Sequence, residues 1–308
     1  MEKITVIGTG TMGHSIALAI GWANIDVTVY GLNDEEIKNA KEGIDSKINV
    51  LKKNEMIDEN NVKQIVERIQ FTTELQSVAD ATFIIEAAPE NLQLKQELYK
   101  QFETYCDPDT IFASNSSSLP PSKIATYLQR PERVLGTHFW NPAHLVPLVE
   151  IVQGEKTEDK YIKRAERLMK KINKTPILVK KEVVGFVGNR LQFALFREAQ
   201  HLYESGVASI EDIDTAVQLS IGRRLGLTGP FMTADLGGLD IFKAISDYVY
   251  PDLSDKKEAF ASINQLVEEG SLGEKTNKGY YDWNRSFSNE IKQKREEELI
   301  RWLKQDTN

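Results

Sequence analysis

The sequence predicts an α/β domain followed by an all-helical domain. Short apolar runs rich in β-branched residues alternate with helical patterns in the first part of the chain, which is typical of a parallel sheet covered by helices. A glycine-rich turn joins the first of these runs to the first helix. Beyond Lys181 we find helical patterns almost exclusively, so we expect one domain over residues 1–183 and a second over residues 184–308.

The glycine-rich turn predicts a dinucleotide site. Residues 3–7 form a short β-rich run, three glycines follow, and a helical pattern begins at Ile16. The first glycine makes the tight turn, the second lets a pyrophosphate approach the backbone, and the third lets helix and strand pack closely. The helix N-terminus then faces the phosphates, so this half is predicted to be a Rossmann-type dinucleotide-binding domain. The candidate cofactor residues of this turn are Gly8, Gly10, Thr11, Met12 and Gly13.

The end of the second predicted strand bears on the choice between NAD and NADP. An acid that binds the adenosine ribose normally ends this strand, and Gly31 stands there instead. Acidic residues occupy 34–36, and neither Lys nor Arg lies between Gly31 and Ile37 to receive a 2′-phosphate. We therefore expect NAD. Asn33 is a candidate partner of the ribose, and a solvent-facing turn residue is the alternative.

A long polar region at residues 34–69 predicts a helical arm that projects from the sheet, because it is too long for a simple crossover. Its lysines Lys52 and Lys53 are candidate contacts for an anionic substrate. A solvated helical face is the alternative for both.

Polar residues follow two further predicted strands, at the sheet edge where ligands bind. The run at 81–85 ends in Glu86, which we expect to line the cofactor crevice, with capping or salt bridging as the alternative. The run at 110–113 opens into four serines and an asparagine at 114–118. One serine is expected to cap the following helix, and the other hydroxyls are free to hold a substrate oxygen. Since no Gly-x-Ser-x-Gly elbow is present, a nucleophilic serine is not expected.

The stretch at 136–150 predicts two strands joined by a bend, with the second strand over residues 145–152. If the strands run antiparallel about His144, His138 and Glu150 face each other. Opposed side chains have Cβ atoms about 5 Å apart, so Glu150 would accept the N–H of His138 and orient it as a general base. Two residues that simply terminate strands are the alternative. His144 is expected to reach a substrate carboxylate or, alternatively, to be an exposed turn residue.

Composition limits the remaining classes. The chain has 308 residues, 41% hydrophobic and 27% charged, which is ordinary for a globular protein. A net charge of -8 argues against nucleic acid or an anionic membrane as the main partner. The single cysteine, Cys106, excludes an internal disulfide and fits the cytoplasm. The apolar opening lacks the basic region of a signal peptide, and no metal site is predicted.

The ordered motifs resemble those of the L-3-hydroxyacyl-CoA dehydrogenases, and the resemblance covers residues 2 to about 284. The motifs are Gly8-x-Gly10-x-x-Gly13, Glu86-Ala87 with Asn91 and Lys95, the run Ser114-Asn115-Ser116-Ser117-Ser118, Gly136-x-His138-Phe139-x-Asn141-Pro142, Leu148-Val149-Glu150, Gly185-Phe186-x-x-Asn189-Arg190 and Asp235-Leu236-x-Gly238-Leu239-Asp240.

The resemblance implies a role for each matching residue. His138 would be the general base and Glu150 its orienting partner. Ser117 and Asn189 would hold the reacting oxygen and the neighbouring carbonyl; from the sequence alone, Asn189 is satisfied either by substrate or by a backbone group. The positions implied to line the nicotinamide half of the NAD site are Glu86, Lys95 and Asn115. The family's helical domain also implies a homodimer.

The substrate is the point at which the motifs diverge. The family relation and the lysine-bearing arm favour a short-chain 3-hydroxyacyl-CoA, with the CoA-contacting lysine matched loosely to Lys52 or Lys53. The Ala-His-Leu-Val-Pro segment at 143–147 looks more like relatives that act on free hydroxy acids or small alcohols, such as the gulonate, carnitine and pyridine-alcohol dehydrogenases. We expect the CoA thioester, with a small free hydroxy acid or alcohol as the alternative. A non-catalytic NADH-binding protein is a further alternative, against which the combination of His138, Glu150, Ser117 and Asn189 argues.

Overall fold

The computed structural model describes residues 2–306, and their contacts divide the chain into two compact units. The first unit runs through Asn189 and takes up the chain again from Lys294, and the second is Arg190–Gln293. These units differ from the predicted division after residue 183 at both ends. The first turn of the boundary helix and the last turns of the chain belong to the first unit.

The first unit is built on one sheet, which has eight strands within residues 2–306. They are β1 (Ile4–Ile7), β2 (Val27–Tyr30), β3 (Ile69–Thr72), β4 (Phe83–Glu86), β5 (Ile111–Ser114), β6 (Val134–Phe139), β7 (Leu148–Gln153) and β8 (Thr175–Val179). Their order is β3-β2-β1-β4-β5-β6-β7-β8. Strands β1 to β6 run parallel, whereas β7 pairs antiparallel with β6 and parallel with β8. The carboxyl ends of β1, β4, β5 and β6 therefore meet at one edge.

Helices cover both faces of this sheet. They are α1 (Thr11–Trp22), α2 (Asp34–Lys53), α3 (Glu59–Glu67), α4 (Leu92–Tyr105), α5 (Pro121–Ile124) and α6 (Asp159–Lys171). Because successive strand residues point to opposite faces, Phe83 and Ile85 join the core cluster that contains residues of α1, α2 and α6, whereas Ile84 joins the cluster that contains Tyr99 and Phe102 of α4. The near-continuous apolar strands follow from this two-sided burial.

The predicted helical arm is present as α2 and α3, but one side of it is buried. Ala40, Ile44, Ile48 and Leu51 recur at helical spacing along α2 and are buried, as is Ile65 of α3. The last four of these belong to the same core cluster as α1. The predicted helical arm is therefore present, and its apolar stripe packs against the domain.

Helices dominate the rest of the described chain. They are α7 (Gly188–Glu204), α8 (Ile210–Leu219), α9 (Ile221–Leu225), α10 (Pro230–Gly237), α11 (Leu239–Val249), α12 (Ala261–Glu268) and α13 (Arg285–Asp306). Ser209 caps α8, since its Oγ accepts the Asp212 N–H at 3.1 Å. Gly238, which lies between α10 and α11, has φ +87° and separates the two helices.

The second unit exposes much apolar surface. Ile213 and Phe260 are its buried hydrophobic residues, whereas Phe231 is 88% exposed and Tyr248 86% exposed. Other exposed large hydrophobic residues of α9 to α11 are Ile221, Leu225, Met232, Leu236, Leu239, Ile241, Phe242, Ile245 and Val249. Many exposed large hydrophobic residues of this kind are typical of an interaction face.

From residue 2 to residue 306, no helix is both long enough and apolar enough to cross a bilayer.

Candidate active site

The glycine-rich turn between β1 and α1 has the geometry that a dinucleotide needs. Gly8 has φ +108°, and a Cβ on it would lie 2.7 Å from the carbonyl oxygen of Ala87. A Cβ on Gly13 would lie 1.9 Å from the Gly8 oxygen, so close packing requires this glycine. Around Gly10, no atom lies within 4 Å of the added Cβ position. The open side of Gly10 is where a pyrophosphate approaches the backbone, so these residues fit NAD.

His138 and Glu150 stand opposite each other on β6 and β7, in the register predicted from the sequence. The His138 Nδ1 and a Glu150 carboxylate oxygen are 2.7 Å apart. The second strand begins at Leu148 rather than at the predicted residue 145. The residues before it form a turn in which the N–H groups of Leu145 and Val146 both donate to the carbonyl of Pro142.

Glu150 is held as a carboxylate by donors on two sides. Its second oxygen accepts the backbone N–H groups of Val187 and Gly188, at 2.9 and 3.0 Å. Burial alone would raise the pKa of Glu150, but the hydrogen bonds from His138, Gly188 and Val187 lower that pKa by more. A carboxylate only accepts, so His138 Nδ1 carries the proton and Nε2 is left to take up another. The two backbone donors could not be predicted from the sequence, because their positions depend on how the chain turns before α7.

A cavity of about 380 Å³ lies beside this pair. It brings together the predicted residues Met12, Lys95, Asn115, Ser117, His138 and Asn189. Trp140 also lines it and was not predicted; a Cβ on Gly188 would lie 2.2 Å from the Trp140 ring, so this glycine makes room for the indole. The cavity therefore joins the ends of β1, β4, β5 and β6 to the start of α7.

The serine run divides into structural and available hydroxyls. Ser116 and Ser118 both donate to Glu90, the latter at 2.8 Å. Burial would raise the pKa of Glu90, but these hydrogen bonds and the charge of Lys95 lower it. The Ser117 hydroxyl makes no hydrogen bond to any residue from 2 to 306, so it is the one left for a ligand. Asn115 uses its side-chain oxygen to accept the Phe139 N–H at 2.9 Å.

Glu86 lies beneath the cavity and does not line it, which corrects the predicted cofactor contact. Its side chain has no exposed surface and accepts from the Ala88 N–H, the Ser114 hydroxyl and the Lys95 ammonium, at 2.7, 2.7 and 2.5 Å. These donors use both carboxylate oxygens. The salt-bridging alternative describes Glu86, and the cofactor edge is left to Lys95, which lines the cavity.

Two of the other predicted ligand residues have protein partners. The Asn33 side-chain oxygen accepts the Glu36 N–H at 2.9 Å, so this oxygen caps α2. Lys52 pairs with Glu59. Lys53 is exposed and interacts electrostatically with Glu296 of α13. None of these three residues lines the cavity.

His144 is neither a carboxylate ligand nor an exposed turn residue, so both expectations for it were wrong. Its side chain is buried, with 3% exposed, and its Nδ1 lies 2.9 Å from the Ser15 hydroxyl. Burial, together with the positive charges of Lys47, Lys174 and His14, lowers the pKa of His144 to about 3. The imidazole is therefore neutral, and it does not line the cavity.

The glycine turn and the acid-paired histidine define a dinucleotide-dependent oxidoreductase. Two family models match the chain: 3-hydroxyacyl-CoA dehydrogenase, NAD binding domain, over residues 3–183, and 3-hydroxyacyl-CoA dehydrogenase, C-terminal domain, over residues 185–283. The chain belongs to the 3-hydroxyacyl-CoA dehydrogenase family and is an NAD-dependent oxidoreductase of that type.

Known proteins with two kinds of substrate resemble the chain. 5-Formyl-3-hydroxy-2-methylpyridine 4-carboxylate 5-dehydrogenase of Mesorhizobium japonicum is 31% identical over 97% of this chain and 96% of its own. 3-Hydroxybutyryl-CoA dehydrogenase of Clostridioides difficile is 34% identical over 92% of this chain and 100% of its own.

Solved structures give the same two kinds of neighbour. A pyridine-carboxylic acid 5-dehydrogenase described as an NAD+-dependent dismutase has a TM-score of 0.90 at 30% identity, covering 97% of this chain and 96% of its own. The (S)-3-hydroxybutyryl-CoA dehydrogenase of Ralstonia eutropha has a TM-score of 0.77 at 32% identity, covering 92% of this chain and 100% of its own.

Proposed function

We propose that the chain oxidises a hydroxyl group on a small free substrate, with His138 as the general base. The observation that supports this chemistry is the His138–Glu150 pair beside the cavity. Because Nδ1 donates to Glu150, Nε2 accepts the hydroxyl proton, and the Glu150 charge stabilises the imidazolium that forms. Bound NAD supplies the acceptor for the hydride that leaves the carbinol carbon. In the reverse direction the imidazolium returns the proton to the carbonyl oxygen.

Ser117 and Asn189 are the proposed holders of the substrate oxygens. Both line the cavity with His138. Ser117 supplies a hydroxyl that has no partner among residues 2–306, and the Asn189 amide offers both a donor and an acceptor. Asn189 lies in the first turn of α7, so a rigid helix fixes its position.

The substrate is proposed to be free because α13 occupies the side of the arm where a CoA phosphate would need cations. Lys52 is paired with Glu59, and Glu296 of α13 faces both Lys47 and Lys53. Burial raises the pKa of Glu296, and the charges of Lys47 and Lys53 offset part of that rise. An acid beside these lysines repels a polyphosphate. The TM-score of 0.90 with the pyridine-carboxylic acid dehydrogenase supports the same choice.

A short-chain 3-hydroxyacyl-CoA is the second candidate substrate. The 34% identity to the Clostridioides difficile enzyme favours it. Its reacting end would meet the same base and the same cavity, so the two candidates differ only in what lies outside the cavity.

A substrate panel separates them. NADH oxidation is followed with acetoacetyl-CoA, acetoacetate and a formylpyridine carboxylate, in wild type and in Lys53→Glu. We expect a higher kcat/KM for a free carbonyl compound and no effect of Lys53→Glu on it. A preference for acetoacetyl-CoA, with a KM raised about tenfold by Lys53→Glu, would establish the CoA candidate instead.

The assembly is proposed to be a cytoplasmic homodimer. The apolar face formed by α9 to α11 supports a second copy as the partner, since symmetric dimers bury such faces on each other. The net charge of -8 supports a small substrate, rather than nucleic acid or an anionic membrane, as the other partner.

A further inference from the structure

The end of β2 has no room for the acid that usually binds the adenosine ribose. A Cβ on Gly31 would lie 2.8 Å from the Thr9 Cγ2 and 3.1 Å from the Ile37 Cγ1. A side chain at this position would therefore crowd the Thr9 and Ile37 side chains, which would have to move. If a carboxylate binds the ribose in this chain, it must come from another element.

Glu36 brings a carboxylate to the same place from the first turn of α2. One of its oxygens accepts the hydroxyl of Thr9 at 3.0 Å and the backbone N–H of Leu32 at 3.1 Å. Thr9 lies between the first two glycines of the dinucleotide turn, and Leu32 lies just beyond β2. The side chain is therefore anchored between the two segments that flank an adenosine ribose in this fold.

The Glu36 carboxylate has one oxygen left that can accept hydrogen bonds from a ribose diol. Its other oxygen, Oε1, makes no hydrogen bond to any residue from 2 to 306, whereas Asn33 has its side-chain oxygen committed to the cap of α2. An ionised carboxylate accepts two hydroxyl donors well. The same charge repels a 2′-phosphate, and no Lys or Arg lies between Gly31 and Ile37 to offset it.

We infer that Glu36 replaces the missing strand-end acid, accepts the adenosine ribose 2′-hydroxyl of NAD and excludes NADP. This role depends on NAD binding and is independent of the substrate proposed above. Thr9 and Leu32 are positioning groups, because they hold the carboxylate by one oxygen and leave the other for the ribose.

Direct binding measurements test the inference without turnover. NADH and an NADH analogue that lacks the adenosine 2′-hydroxyl are titrated by fluorescence into wild type, Glu36→Gln and Glu35→Gln. Glutamine keeps an acceptor for Thr9 but removes the charge, so we expect Glu36→Gln to weaken NADH binding about 10- to 100-fold. The same variant should bind the deoxy analogue as wild type does. Wild type itself should prefer NADH to the analogue by at least about tenfold.

Glu35→Gln is the matched control. Glu35 is the exposed neighbour, and its carboxylate makes no hydrogen bond within residues 2–306. If Glu35→Gln and Glu36→Gln lose the same NADH affinity, the effect comes from the overall charge of this segment and not from a ribose contact of Glu36. If Glu36→Gln loses the same affinity for NADH and for the deoxy analogue, Glu36 only stabilises the turn and does not contact the 2′-hydroxyl. No preference of wild type for the 2′-hydroxyl would overturn the inference even if a variant failed to fold.

Discussion

His144 is a buried neutral base surrounded by other basic groups. His14 of α1, Lys47 of α2 and Lys174 before β8 all act on it, and Lys47 in turn faces Glu296 of α13. Its pKa of about 3 lies below the value of about 6.5 for a histidine in an unfolded chain. Between these two pH values the unfolded chain binds a proton that the folded chain does not. The free energy of unfolding therefore falls as the pH falls through this window.

The first prediction compares wild type with His144→Asn, in which the amide keeps a partner for Ser15 but cannot titrate. As the pH falls from 6 to 4, the free energy of unfolding of wild type should fall by about 1 kcal/mol per pH unit more than that of the variant. Urea unfolding at each pH measures the difference. At pH 8 both should have the same kcat/KM, because His144 does not line the cavity. Parallel pH dependences of wild type and variant would show that His144 is not a buried neutral base.

Residue roles were predictable where the backbone fixes them and not where side-chain partners decide. The facing of His138 and Glu150 follows from two strands and one bend, so it could be predicted. Glu86, by contrast, ends a strand at the expected edge, but Lys95, nine residues further on, takes its carboxylate. The sequence offered no comparable signal for His144, whose burial depends on Ser15 in α1.

At the scale of elements, α13 is the part of the chain that sequence patterning described least well. The mixed charge of residues 292–298 is typical of a solvated helix surface. Ile300 is nevertheless buried in the main core cluster of the first unit, with Leu299 and Leu303 packed beside it. The apolar group is short and lies at the end of a charged helix, so periodicity alone gives it little weight.

The second prediction concerns this packing. Ile300→Ala should lower the free energy of unfolding by about 2–4 kcal/mol, the usual cost of removing a buried isoleucine side chain and leaving a cavity. Arg295→Ala, on the exposed side of the same helix, should change it by less than about 0.5 kcal/mol. Urea denaturation of both variants provides the comparison. An Ile300→Ala variant as stable as Arg295→Ala would place α13 outside the core.

The strands of the first unit were predicted well because buried parallel strands read as apolar runs, with boundaries correct to within a few residues. The helical arm was also placed correctly in the chain. Its apolar positions at 40, 44, 48 and 51 are evident in the sequence, yet only the packing against α1 shows that they bury α2 on the domain.

At the scale of the whole molecule, the exposed apolar face of the second unit gives the third prediction. Wild type should sediment as a dimer, and Phe231→Asp should weaken the dimer by at least about 100-fold, because a buried interface would have to accept an unpaired charge. Lys257→Asp, an exposed polar position of the same unit, should leave the dimer intact. Sedimentation over a range of concentrations distinguishes them. If wild type sediments as a monomer, the proposal that a second copy of the chain covers this face is contradicted.

The division of the chain into two units could be predicted from the sequence only in part. The change from alternating strands and helices to helices alone is visible in the sequence, and the two family models meet at that point. That α13 returns to the first unit depends on tertiary contacts of Ile300, which no local pattern encodes.

His138 carries the central chemical step, and a single-turnover measurement tests it most directly. NADH is bound to wild type or His138→Gln and then mixed with acetoacetate or acetoacetyl-CoA, whichever wild type reduces faster. The glutamine variant should bind NADH within about threefold of wild type and transfer hydride about 10²- to 10⁴-fold more slowly, the usual contribution of general acid–base catalysis. A hydride-transfer rate equal to that of wild type would contradict the assignment of His138 as the proton-transferring residue.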